Sequence, residues 1–213
     1  MNRPDNNYFT AGVPVAEAKN ALVLIHGRGG TAADIAALAQ EFILPHTAVF
    51  APQATNKSWY PHSFLAAETQ NQPALDVALA TIDALIADLM ATGISAENIY
   101  LAGFSQGACL TLEYSSRNAK TYGGVVAFTG GLIGDRLETS RYKGDFNGTP
   151  ILITTGNPDT HVPLSRVEAS VKILEKLGAS VTLEVFAGRP HTIIPPEIQL
   201  AQKLVFNRIA NLK

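Results

Sequence analysis

Short apolar runs alternate with longer amphipathic stretches along this chain. Residues 21–25 are apolar throughout, which is typical of a strand that is covered on both faces. Similar runs predict five further strands at residues 47–51, 99–104, 125–129, 151–155 and 181–186. These runs predict the backbone of a β-sheet.

Helical patterns separate these strands. Residues 31–41 open with Thr31, which can cap a helix together with Asp34 three residues on. A second helix is predicted from Pro73 to about Thr92, where Gly93 ends it. Its apolar stripe is formed by Leu75, Leu79, Ile82, Ile86 and Leu89. Further helices are predicted at residues 106–118, 164–177 and 196–210.

Strands that alternate with helices predict an α/β fold: a mostly parallel central sheet with helices on both faces. We expect six parallel strands and an antiparallel edge strand from residues 8–13. No linker interrupts the pattern, so we expect a single domain over residues 1–213, without a large cap domain.

Composition excludes several classes of function. Apolar residues make up 46% of the 213 residues, charged residues 16%, and the net charge is −2. This balance favours neither nucleic acid nor an anionic membrane as a partner. The lone cysteine allows no internal disulfide and no cysteine-rich zinc site. Without a signal-peptide pattern at residues 1–10 or a membrane-length apolar run, we expect a cytoplasmic protein with no stable membrane association.

The first candidate catalytic motif lies at residues 103–107, which read Gly-Phe-Ser-Gln-Gly and match G-x-S-x-G. An apolar strand leads into this motif and a helix leads out. In that context the chain must turn sharply at Ser105, and Gly103 and Gly107 avoid the clashes of such a turn. The sequence therefore predicts Ser105 as an exposed nucleophile. A plain turn with Ser105 as a helix cap is the alternative.

A serine nucleophile needs a base and an acid that orients the base. His191 follows the last predicted strand, so we expect it to be the base. Asp159 follows the preceding strand closely and is the first candidate for the acid, and Asp135 is its rival. His161 is expected to lie beside the acid.

Two backbone N–H groups are expected to stabilise an oxyanion: Gln106, which follows the nucleophile, and Arg28, in the early glycine-rich loop. The His26 side chain is expected to hold that loop. Residues 27–32 also fit G-x-G-x-x-A, but no acidic residue follows about 20 residues later, so a nucleotide is disfavoured. We expect no cofactor and no metal.

The long irregular segment at residues 52–72 carries Trp59, Tyr60, His62 and Phe64, which either line a pocket or cover the edge of the core. Leu132 and Ile133 are expected at the acyl site. Cys109, one helical turn after Ser105, is expected to pack rather than react. Apolar residues on these loops could also form a homodimer face.

Together these residues resemble the phospholipase/carboxylesterase family of α/β-hydrolases, which includes acyl-protein thioesterases and small bacterial carboxylesterases. The resemblance rests on motifs spread over residues 21–210: His26-Gly27-x-Gly29, Ser58-Trp59, Gly103-Phe104-Ser105-Gln106-Gly107, Gly156-x-x-Asp159-x-x-Val162-Pro163 and His191. It implies the triad Ser105, Asp159 and His191, oxyanion donors at Arg28 and Gln106, and Trp59 near the acyl pocket.

The family resemblance also implies a reaction. We expect a serine carboxylesterase that hydrolyses small carboxylic esters, with thioesters allowed, through an acyl-enzyme. Gly30 stands where family members often have aspartate, and Pro190 where they often have glycine, which favours a small soluble ester. A lysophospholipase or acyl-protein thioesterase is the first alternative. A non-catalytic binding protein on the same scaffold is the second.

Overall fold

A computed structural model describes residues 8–210 of the chain. Seven strands form one sheet in the order β1-β3-β2-β4-β5-β6-β7. β1 pairs antiparallel with β3, and every other pairing is parallel, as the alternation of strands and helices predicts. The strands β1 to β7 are Tyr8–Gly12, Asn20–Ile25, Thr47–Pro52, Ile99–Phe104, Gly124–Phe128, Pro150–Asn157 and Ser180–Ala187.

Helices cover both faces of this sheet. α1 to α7 are Ala32–Ala37, Glu68–Asn71, Ala74–Ala91, Gln106–Arg117, Leu164–Lys176, Pro195–Ala201 and Asn207–Ala210. A 3-10 turn, Leu38–Glu41, extends α1, and a π-helical turn, Gln202–Phe206, joins α6 to α7. Every predicted helix and strand is thereby confirmed, with bounds that shift by at most two residues when the 3-10 and π-helical turns are counted with their helices.

The alternating side chains of β2 explain why its sequence is apolar throughout. Ala21, Val23 and Ile25 belong to the core beneath α3, α4 and α5, whereas Leu22 and Leu24 belong to the core beneath α1, α6 and α7. A strand between two helical layers has no solvent-facing side, so each of its positions is apolar. Both cores are formed, which confirms the predicted layering.

The residues predicted to begin α1 and to end α3 do so in the structure. The Thr31 hydroxyl accepts a hydrogen bond from the Asp34 N–H at 3.1 Å, and Asp34 accepts one from the Thr31 N–H, which completes a capping box at α1. Gly93, with a φ of 97°, follows α3 in the left-handed region. Of the predicted stripe on α3, only Leu79 is half-buried rather than fully buried.

Apart from the helices that cover the two faces of the sheet, the described segments between the strands contain only short helical turns, so no large cap domain covers the sheet within residues 8–210. No helix among those residues is long and apolar enough to cross a membrane. The carboxyl ends of β2, β4, β6 and β7 lie at one edge of the sheet, because these strands run parallel.

Candidate active site

The turn between β4 and α4 places Ser105 in a strained conformation, with φ 54° and ψ −118°. A Cβ atom on Gly103 would lie 2.5 Å from the Gly107 carbonyl, and one on Gly107 would lie 2.1 Å from the Ile25 carbonyl oxygen. Only glycine fits at either position. The sharp turn predicted from the G-x-S-x-G motif is therefore present, and Ser105 lies at its apex.

A hydrogen-bonded chain of three side chains runs from this turn. His191 Nε2 lies 2.8 Å from the Ser105 hydroxyl oxygen, and His191 Nδ1 lies 2.8 Å from Asp159 Oδ2. A carboxylate accepts, so Nδ1 carries the proton toward Asp159 and Nε2 is free to accept from Ser105. The geometry is that of a nucleophile, a base and an orienting acid.

Asp159 is held by three donors. Its Oδ1 accepts hydrogen bonds from the backbone N–H groups of His161, at 2.8 Å, and Val162, at 2.9 Å, and its side chain is buried. Burial raises the pKa of this carboxyl, but the hydrogen bonds from the His191 ring and the two N–H groups outweigh burial and lower the pKa overall. Asp159 is therefore a carboxylate at neutral pH.

The rival acid lies elsewhere. Asp135 is exposed, and its carbonyl accepts a hydrogen bond from Arg166. His161 lies beside the acid as expected: its ring contacts the His191 ring edge-on, with centroids 4.9 Å apart. Neither Asp135 nor His161 takes the place of Asp159 or His191 in the hydrogen-bonded chain.

The two predicted oxyanion donors flank Ser105. Among the described residues, neither the Arg28 N–H nor the Gln106 N–H has a hydrogen-bond partner. The loop that carries Arg28 lies against the nucleophile: a Cβ on Gly27 would be 3.4 Å from the Ser105 Cβ. Two free N–H groups beside a nucleophile can stabilise a developing negative charge.

His26 holds that loop, as expected from its position. Its Nδ1 donates to the Gly27 carbonyl at 2.8 Å, and its Nε2 accepts from the Ala54 N–H at 3.1 Å. Burial lowers the pKa of His26, although the Gly27 carbonyl and Asp34 oppose that effect. A neutral imidazole matches these bonds, because Nε2 must keep its lone pair.

The side chains of the two predicted oxyanion donors, Arg28 and Gln106, make contacts that the sequence did not reveal. The Gln106 amide accepts from the Trp59 N–H at 3.0 Å and donates to the Tyr60 carbonyl at 2.8 Å. The Arg28 guanidinium donates to Ser58 and to the carbonyls of Pro61 and His62, at 2.8 to 3.0 Å. Both side chains thereby fix the segment at residues 58–62 against the site.

That segment forms one wall of a cavity of about 560 Å³ that opens onto Ser105. Tyr60, His62 and Phe64 line it, so three of the four aromatic side chains that residues 52–72 carry are pocket residues. The complete lining is Arg28, Tyr60, Pro61, His62, Ser63, Phe64, Ser105, Gln106, Cys109, His161, Val162 and His191.

The predictions for Trp59, Leu132 and Ile133 need correction. None of them lines the cavity: Trp59 is 4% exposed and the other two are fully buried in the core. The Trp59 indole N–H donates to the His26 carbonyl at 2.9 Å, which turns the ring inward beside the His26 ring. The Leu132 N–H is bound by the Ser170 hydroxyl at 2.9 Å, which draws its loop down onto α5.

Cys109 is a buried residue of the cavity lining. Burial raises the pKa of its thiol to about 12, so the thiol stays protonated and weakly nucleophilic at neutral pH. This supports the packing interpretation. Within residues 8–210, no cluster of histidine, cysteine and acidic side chains could hold a metal ion.

The loop that carries His191 is anchored by a buried ion pair. The Arg189 guanidinium lies 3.6 Å from Glu197 Oε1 and also donates to Thr129 and to the carbonyls of Pro190 and Thr192. Glu197 in turn accepts from Thr154 and from the Ile194 N–H. This pair was not predicted from the sequence, although Glu197 begins a stripe of buried residues that are four positions apart and continue with Ala201, Val205 and Ile209.

Comparisons with known proteins agree with the fold and identify the family. The family model described as phospholipase/carboxylesterase matches residues 6–207. The crystal structure of a phospholipase/carboxylesterase from Dyadobacter fermentans is similar, with 58% identity, a TM-score of 0.93, and coverage of 97% of this chain and 99% of that one.

Curated relatives are more distant. A probable carboxylesterase SOBER1-like from Arabidopsis thaliana is 30% identical over 73% of this chain and 61% of its own length. Acyl-protein thioesterase 1 of Gibberella zeae is 30% identical over 54% of this chain and 49% of its own length. The first three curated relatives are matched over 61%, 50% and 58% of their lengths, so the chain spans about half to three fifths of them. The chain belongs to the phospholipase/carboxylesterase family and has the α/β-hydrolase fold.

Proposed function

We propose that the protein is a serine carboxylesterase that hydrolyses small carboxylic esters. The observation that carries the proposal is the continuous hydrogen-bonded chain from Ser105 through His191 to Asp159, at 2.8 Å for both contacts, at the wall of an open cavity. Family membership supports the same chemistry. The cavity volume is within the ordinary range for small-molecule sites.

In this mechanism the Ser105 hydroxyl oxygen attacks the ester carbonyl, while His191 Nε2 takes the hydroxyl proton. The carbonyl oxygen becomes an oxyanion that accepts hydrogen bonds from the N–H groups of Arg28 and Gln106. Asp159 stabilises the imidazolium and fixes its orientation through Nδ1. The tetrahedral intermediate then collapses: the bond to the alcohol oxygen breaks, and His191 donates its proton to the leaving alkoxide.

The product of this half-reaction is an acyl ester on Ser105. Water attacks it with His191 again as the base, the same N–H groups hold the second oxyanion, and the acid leaves as Ser105 regains its proton. The chemistry requires no metal or cofactor. A thioester could follow the same steps, and the relative named acyl-protein thioesterase 1 supports keeping that substrate class as the alternative.

The test is hydrolysis of p-nitrophenyl esters from acetate to palmitate by the wild type, Ser105→Ala and Ser165→Ala. Ser165 is an exposed serine on α5 and serves as the matched control. We expect an optimum at short chains and a loss of up to ~10⁶ in kcat for Ser105→Ala alone. A long-chain optimum would support the lysophospholipase or thioesterase alternative.

An active Ser105→Ala variant would overturn the proposal. No hydrolysis at any chain length would favour a non-catalytic binding protein. The cytoplasmic location, the single domain and a homodimer stay predictions from the sequence.

A further inference from the structure

The side chain of Arg28 is a cation on the wall of the cavity without an acidic partner. Its Nη1 donates to the Ser58 hydroxyl and to the Pro61 carbonyl, each at 3.0 Å, and its Nη2 donates to the His62 carbonyl at 2.8 Å. All three acceptors are neutral. No ion pair of Arg28 occurs within the described residues 8–210.

These contacts also fix the direction of the guanidinium. An arginine has five N–H donors in a rigid fork, and three are engaged here. One N–H on Nη2 and the one on Nε remain, and the side chain is exposed. A guanidinium held by neutral anchors with two free donors is preorganised to bind a carboxylate.

The other residues that line the cavity do not neutralise the positive charge of Arg28. Apart from Arg28, its titratable side chains are Tyr60, Cys109 and the histidines His62, His161 and His191. No carboxylate is among the lining residues. Asp159, the nearest acid to His191, is buried and occupied by three hydrogen bonds. The electrostatic field of the wall therefore favours an anion.

The position of Arg28 links this charge to the reaction. The backbone N–H of the same residue is a proposed oxyanion donor, so the guanidinium lies within one side-chain length of the reacting carbonyl. A substrate that places its carbonyl at Ser105 can reach Arg28 with a second group. Resting on the proposed esterase function, we propose that the substrate is an ester that carries a carboxylate, bound by the side chain of Arg28.

The experiment compares matched pairs of charged and neutral esters. For a carboxylate on the acyl side, the pair is the p-nitrophenyl half-ester of glutaric acid and p-nitrophenyl pentanoate. For one on the alcohol side, it is 4-acetoxybenzoate and 4-acetoxybenzamide. The kcat/KM ratio of charged to neutral ester is measured for the wild type, Arg28→Gln and Arg28→Lys, with Arg208→Gln as a control that removes a distant exposed charge.

We expect Arg28→Gln to lower this ratio by about tenfold or more in at least one pair, since a hydrogen bond to a charged group contributes on that scale. Arg28→Lys should recover part of the ratio, and Arg208→Gln should leave it unchanged. Arg28→Gln also removes the hydrogen bonds that hold residues 58–62. Any general loss of activity from that change affects both esters of a pair, so it does not alter their ratio. In the wild type, kcat/KM for the charged ester of that pair should fall at high salt while the neutral ester changes little.

An unchanged ratio in Arg28→Gln for both pairs would overturn the inference. If Arg28→Gln does not fold, a ratio in the wild type that does not change with salt concentration would overturn it. Either outcome leaves the proposed function standing if the neutral esters are hydrolysed in a Ser105-dependent manner. If the wild type hydrolyses none of the four esters, the esterase proposal and this inference fail together.

Discussion

The buried ion pair beneath the His191 loop gives the sharpest prediction about stability. Arg189 and Glu197 have side-chain exposures of 2% and 0%, and their closest charged atoms are 3.6 Å apart. In Glu197→Gln, one orientation of the new amide keeps the acceptor for the Ile194 N–H and lets the amide NH₂ donate to the Thr154 hydroxyl, which can rotate to accept. The change therefore keeps these two hydrogen bonds but removes the negative charge and turns an amide NH₂ toward the Arg189 guanidinium.

The expected cost follows from the charge that remains. Removing one partner of a buried pair costs about 3–5 kcal/mol, because the other charge stays buried without compensation. Arg189 keeps its neutral acceptors, so we expect the lower end, about 3 kcal/mol. In a chain of this length each kcal/mol lowers Tm by roughly 2–4 °C, which gives a decrease of about 6–12 °C.

Thermal unfolding followed by circular dichroism measures this effect. Glu175→Gln, at an exposed position on α5, is the matched control and should leave Tm within about 1–2 °C of the wild type. Below its Tm, Glu197→Gln should also have a lower kcat, because the anchored loop positions the His191 ring. A Tm equal to that of the wild type would refute the role assigned to the ion pair.

Three further outcomes are expected. Thr31→Ala removes half of the capping box of α1 and should cost ~1 kcal/mol, a decrease of roughly 2–4 °C in Tm; an unchanged Tm would count against the cap. Gly107→Ala places a Cβ 2.1 Å from the Ile25 carbonyl oxygen, so the turn must shift and kcat should fall by ~10² or more; near wild-type activity would contradict the packing. Folding lowers the pKa of Asp159 below its ordinary value of 3.8. The Asp159 carboxylate therefore stabilises the fold at pH values above 3.8, and this stabilisation is lost as the pH falls through the lowered pKa. The difference in urea midpoint between the wild type and Asp159→Asn should therefore shrink on acidification, and a constant difference would contradict it.

Sequence patterns sufficed for the fold because each signal is local. The apolar run of β2, the capping box at Thr31 and the glycines that flank Ser105 can each be recognised from a few consecutive residues. The order of strands then brings the carboxyl ends of β4, β6 and β7 to one edge, which explains why Asp159 and His191 could be chosen.

Long-range contacts decided what the sequence could not predict. Trp59 faces inward because its indole N–H reaches the His26 carbonyl, 33 residues away in sequence. Leu132 and Ile133 are buried through bonds to Ser170 and Glu113, whose positions depend on how α4 and α5 pack. The paths of both loops follow from such contacts, and no periodic pattern encodes them.

The most direct test of the central claim is covalent labelling by a fluorophosphonate, which reacts with a serine only where that serine is activated. Intact mass and peptide mapping would be recorded for the wild type, Ser105→Ala and His191→Ala. We expect one adduct per wild-type chain, on Ser105, none on Ser105→Ala, and strongly slowed labelling of His191→Ala. An unlabelled wild type, or an adduct on another serine, would contradict the account.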